Sequence, residues 1–79
     1  MARTPLTLPV SGRKFRAVRE LAGLEQRQVE TLTEQRGYRV HRTRLSRIET
    51  GEVKPTAAQL NALLGVYRVP VADVLDGPE

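Results

Sequence analysis

Residues 41–55 read HRTRLSRIETGEVKP. Leu45 and Ile48 stand three positions apart, which places them on one side of an α-helix. Thr43, Arg47 and Thr50 fall on the opposite face, flanked by Arg44 and Ser46. Gly51 follows as the residue suited to a left-handed cap. The spacing predicts a helix that begins between His41 and Thr43 and ends near Thr50. Glu49 lies beside Leu45 on the helical wheel, at the border of the apolar stripe. Arg42, Arg44 and Arg47 fall within six residues. So much positive charge on a short helix points to something outside the protein.

Working outward, the flanking segments also read as short helices. Residues 1–10, MARTPLTLPV, hold two prolines and no helical period, as in a flexible arm. Ser11 is placed to cap a helix running to about Ala22, closed by Gly23. Phe15, Val18 and Ala22 form its inward stripe, with Leu21 at the edge. Arg19 follows Phe15 by four positions, so it borders this stripe instead of opposing it. A second helix spans about Gln26 to Arg36, with Val29 and Leu32 inward and Gly37 as its stop. The turn GYRVH, residues 37–41, turns Val40 inward. After the loop GEVKP, Thr56 caps a fourth helix over Ala57 to Tyr67, with Leu60, Leu63, Leu64 and Tyr67 inward. Gly65 lies inside this pattern and weakens it slightly. Pro70 opens a short fifth helix carrying Val71, Val74 and Leu75. Residues 77–79 read as a frayed tail, and residues 11–76 as one all-α domain.

Composition narrows the chemistry. A chain of 79 residues holds one small domain, best built from closely packed helices. There is no cysteine and one histidine, His41, so a thiolate or histidine metal site is not expected, nor any cofactor. The six glycines punctuate helices and form no phosphate-cradling run. Nothing pairs a nucleophile with a base, so catalysis is not expected. Ala62–Val66 is too short an apolar run to cross a bilayer, and the N-terminus lacks a secretion signal. A cytoplasmic protein is the expectation. The net charge is +4, and the positive charge gathers in two blocks. Residues 1–23 carry five positive charges against one negative, and residues 38–54 five against two. Such blocks favour a polyanion partner, although a solvated basic surface has the same composition.

Five short helices with a tight turn between the second and third suggest a helix-turn-helix. RLSRIETG (44–51), KP (54–55) and the spaced set Leu60, Val69, Val71, Val74 and Leu75 resemble the Xre-like, phage-repressor and Cro type of DNA-binding domain. LAGLEQRQV (21–29) resembles the family's join between its first two helices. The resemblance covers roughly residues 12–75. The chain departs from the pattern between Gln26 and RIETG, where it is longer by a handful of residues on both sides of Gly37. It also carries Glu30 where the family often has alanine. The second helix or the turn is therefore lengthened, and the first residue of the third helix is open.

The resemblance implies a sequence-specific regulator of transcription, a repressor that occludes an operator. Bacterial or phage-type cytoplasm is the setting it implies. A helix of this length fits the major groove, with its first turn and outward face toward the bases. The base-contacting candidates are Arg42, Thr43, Arg44, Ser46 and Arg47. Arginine can grip a guanine edge with two bonds, and a threonine methyl packs on thymine. Matched to the family's motif, Arg42, Thr43 and Arg47 are the positions most often on base edges. Any one arginine could equally bind phosphate. The phosphate candidates are Gln26, Arg39, His41, Gly51 and Lys54. In the family the glutamine at Gln26 binds a phosphate and braces the third helix, and a partly buried bridge joins the positions of Arg19 and Glu49. His41 is open between helix cap and phosphate contact. Arg3 is open between minor-groove arm and plain tail.

One helix reads only a few base pairs, so two copies on a near-palindromic duplex are expected. The family often pairs through the fifth helix, here Pro70 to Leu75, although the same apolar residues can simply close the core. A second reading keeps the fold and changes the partner. In it the chain is a protein-interaction module, such as an antitoxin or adaptor, with secondary DNA binding.

Overall fold

The computed structural model describes residues 9–76. Four α-helices follow one another: α1 (Gly12–Leu21), α2 (Gln26–Gln35), α3 (Arg42–Thr50) and α4 (Ala57–Tyr67). The predicted fifth α-helix is instead a 3-10 turn, Val71–Val74. Its brevity has a cause at its end. Leu75 is extended and forms an antiparallel bridge with Val10, so the chain must leave helical geometry there.

Local sequence sets most boundaries. The Ser11 hydroxyl accepts the Lys14 amide at 3.2 Å and starts α1. Glu25 and Gln28 form a capping box at α2, and Thr56 and Gln59 form another at α4. The α2 helix ends in a turn of Schellman type. Gly37 takes φ +101°, and the Tyr38 amide donates to the Thr33 carbonyl at 3.1 Å. Gly51 closes α3 at φ +83°.

α1 packs on α3 and on the 3-10 turn, while α2 packs on both α3 and α4. The shared core is Val10, Phe15, Val29, Val40, Leu45, Ile48, Leu60, Leu63, Tyr67 and Val74. One junction depends on a missing side chain. A Cβ on Gly12 would overlap the Ile48 carbonyl oxygen and lie 2.7 Å from that of Glu49. α1 thus begins directly against the last turn of α3.

Four details differ from the sequence reading. Leu21 is 88% exposed. It follows Phe15 by six positions, a rotation of about 120° off the buried stripe. Ala22 is also exposed, since it caps α1 where the stripe runs off the core. On α2 the buried residues are Val29, Glu30 and Thr33, and Leu32 is only half-buried. The helix is rolled toward Thr33 because that hydroxyl has a partner in the turn. Pro9 and Val10, read as the end of the arm, are held in place. Val10 is buried, and the Pro9 carbonyl accepts the Asp76 amide at 2.7 Å. The rest of the arm, with Arg3, and the tail at 77–79 lie outside the described residues.

Candidate nucleic-acid interface

α3 is tethered near its C-terminal end by a buried ionic cluster. Arg19, from α1, donates through Nε and Nη2 to the two carboxylate oxygens of Glu49 at 2.7 and 3.0 Å. This fork-to-fork geometry is the strong form of such a pair. The third guanidinium bond, from Nη1, goes to the Leu24 carbonyl at 2.8 Å. Gln26, the first residue of α2, adds its amide to Glu49 at 3.1 Å. One carboxylate therefore ties α3 to α1 and to the start of α2. The hydrogen bonds that Arg19 donates to Glu49 hold its guanidinium charged above its ordinary range, against the opposing effect of burial. Tyr67 packs in the same core, and its hydroxyl has no partner among the described residues. Burial pushes that hydroxyl's pKa up.

The other end of α3 is tethered by α2. Glu30 is buried and accepts the Arg39 Nε at 2.8 Å, with Arg39 Nη2 on the same oxygen. His41 Nδ1 lies 3.4 Å from that oxygen. The Arg39 guanidinium holds this carboxyl below its usual range, and the Arg42 backbone N–H and His41 act in the same direction. Thr33 grips the same turn, its Oγ1 accepting the Val40 amide at 2.9 Å. The departure noted at position 30 thus has a partner nine residues on.

Between these tethers α3 presents an outer surface. Arg42, Thr43, Arg47 and Thr50 are exposed, and Ser46 is half-exposed. Among the described residues Arg47 has only a loose ionic neighbour, Glu52, at 3.8 Å. Arg44 does not stand free. It is half-buried, its Nη2 reaches the Lys54 carbonyl at 3.4 Å, and its Nε is buried without a partner among the described residues. The loop after α3 folds back over that flank, which the helical wheel of α3 alone does not show.

The phosphate candidates divide in the same way. Lys54 is exposed in the loop. Gln26 is half-buried and serves Glu49. Arg39 is engaged by Glu30, and the Gly51 amide already donates to the Ile48 carbonyl at 3.1 Å. Two arginines that the sequence reading left aside lie nearby. Arg16 of α1 and Arg27 of α2 line an open cleft of about 570 Å³ together with Arg42, Ser46 and Thr50. Arg27 follows Gln26 directly, and Arg16 precedes Arg19 by three positions. Each therefore borders a residue already tied to Glu49, which is the signal that would have found them. A second, apolar groove of about 500 Å³ lies along α2, lined by Leu24, Arg27, Gln28, Thr31 and Leu32. No helix among the described residues is long and apolar enough to cross a membrane.

The geometry is that of two helices, α2 and α3, joined by a clamped turn. A family model described as a helix-turn-helix domain matches residues 12–76. No curated protein and no solved structure matches the chain. The family match accords with the Xre-like resemblance and points to DNA binding. With most of its length covered, from the start of α1 to the bridge at Leu75, the chain belongs to the helix-turn-helix domain family.

Proposed function

We propose that this chain is a sequence-specific, double-stranded DNA-binding regulator of transcription, acting as a repressor by covering an operator in the cytoplasm. The observation that carries the reading is α3 itself. It is fixed at both ends, and Arg42, Thr43 and Arg47 stand exposed between the tethers. A rigid mount is what base reading needs, because bidentate contacts tolerate little misplacement. In this reading Arg42, Thr43 and Arg47 meet base edges, with Ser46 beside them. Lys54 and the cleft arginines Arg16 and Arg27 meet backbone phosphates. Arg44 and Arg39 serve the fold instead. Two copies bind a near-palindromic duplex, since one helix covers only a few base pairs.

Selection of bound duplexes from a random pool tests this directly. A recovered motif with two inverted half-sites is the expected result. Equal binding of recovered and scrambled duplexes at physiological salt would sink it. Arg47→Ala should cost about 1–3 kcal/mol on the preferred duplex and relax one base position. A loss shared by all sequences, with the salt slope reduced by about one, would move Arg47 to a phosphate.

The interaction-module reading rests on a different observation. Leu21 is 88% exposed, three residues before Leu24 of the apolar groove. Co-purification of one small stable partner, lost in Leu21→Glu, would favour it.

A further inference from the structure

The turn between α2 and α3 is the part of the chain that departs from the common pattern, and it is gripped at three successive residues. Glu30 takes Arg39 through both Nε and Nη2. Thr33, fully buried and one turn further along α2, takes the amide of Val40. Glu30 returns to face His41, 3.4 Å from Nδ1. His41 is the N-cap residue of α3, yet its side chain makes no capping bond. Helices normally satisfy their first amides through a residue at that position. Here the carboxylate at that helix start comes from the neighbouring helix.

A longer turn has more ways to enter α3, and a shift of one residue rotates the outward face by about 100°. Such a shift would turn Arg42 and Thr43 away from the base edges that they meet in this reading. We propose that Glu30 is a positioning residue: by clamping Arg39 and His41 it fixes where α3 begins and so decides which side chains of its first turn reach the base edges. Arg39 is then the strap of the clamp and not a phosphate contact. This inference rests on the DNA-reading proposal above for its consequence, but the clamp itself belongs to the free protein.

The test uses the full chain as wild type, Glu30→Ala, Glu30→Gln and Arg39→Ala. Ala62→Gly on α4 serves as a control that loosens the fold away from the turn. Binding is measured on the selected duplex and on a scrambled one, and amide exchange of Val40 and Leu45 is followed without DNA. Glu30→Ala and Arg39→Ala should lower the selected-to-scrambled affinity ratio by about 5- to 150-fold, the discrimination of one good bidentate base contact. Binding to the scrambled duplex and its salt slope should stay as in wild type. Exchange at Val40 and Leu45 should quicken, with Glu30→Gln in between, while Ala62→Gly keeps the ratio. An unchanged ratio and motif in Glu30→Ala would overturn the proposal. So would a loss in Arg39→Ala that is equal on both duplexes with a flatter salt slope, since Arg39 would then touch phosphate. Should wild type fail to discriminate, the DNA reading falls, and exchange alone judges the clamp: unchanged rates reject it, faster rates uphold it.

Discussion

Each end of α3 is moored by a carboxylate and a guanidinium, and the two moorings live in different surroundings. At Arg19–Glu49 the side chains are 12% and 3% exposed. At Arg39–Glu30 they are 49% and 11% exposed. The chemistry is the same, and the consequences differ. A buried pair is costly to break because the surviving charge is stranded away from water. Removing Glu30 from the second pair loses less, since water takes the freed, half-exposed Arg39 guanidinium. The first pair therefore governs whether the domain folds. The second governs which arrangement the folded turn adopts.

The sharpest way to break this contrast is Glu49→Ala. It strands Arg19 and unties Gln26, and it should lower stability by about 3–5 kcal/mol in urea unfolding. A midpoint equal to wild type would remove the distinction between the two ends. Replacing both partners, as in Arg19→Met with Glu49→Leu, should recover most of that loss, because no charge is left behind.

The next effect concerns the backbone at the same end. Gly12→Ala forces a methyl against the Ile48 and Glu49 carbonyls, which are backbone atoms in the last turn of α3. A loss of about 1–3 kcal/mol is expected. Gly65→Ala is the matching control. There the atoms nearest an added Cβ belong to the Arg36 guanidinium, from 2.9 Å, the free end of a flexible side chain. Arg36 can swing aside, so helix propensity should win by up to about 1 kcal/mol in favour of alanine. A common sign for both glycines in thermal melts would contradict the packing described for α1.

Tyr67→Phe probes the buried end from its apolar side. The hydroxyl is enclosed and unpaired among the described residues, so deleting it should raise stability by about 1 kcal/mol. A loss on mutation would mean that the hydroxyl has a partner after all.

The smallest expected effect is at the exposed end and depends on pH. Arg39 lowers the Glu30 pKa. The stability this adds is complete above the unfolded-state pKa, near 4.3 for glutamate, and fades as pH falls through the folded value. Melting temperatures of wild type and Glu30→Gln should differ at neutral pH and converge in acid. A difference that persists at low pH would assign the effect of Glu30 to shape and not to charge.

The same contrast separates what could be read in the sequence from what could not. Helix starts and stops depend on residues three or four positions away, and Ser11, Gly37, Gly51 and Thr56 announced them. The Arg19–Glu49 contact joins residues 30 apart, and the wheel positions showed only that each borders a stripe. It became nameable through the family pattern. The Glu30 clamp had no such guide, because it occupies the segment where the chain departs from that pattern. The surroundings of Arg44 are hidden from the sequence for a related reason. Its flank of α3 is open on an isolated wheel and closes only once the loop to Lys54 has found its path. Apolar spacing alone predicts a helix for the last segment. The demand that ends it comes from Val10, at the far end of the chain.

That bridge makes the domain nearly a ring. Pro9 bonds to Asp76, and Lys14 reaches the Leu75 carbonyl at 2.6 Å. Pro9 and Asp76, the first and last described residues, therefore lie side by side. A permuted chain that joins these two ends through a short glycine linker and opens in the exposed loop at Glu52 would keep all four helices and their partners. It would also free the corner where two covalent strands of the chain now meet.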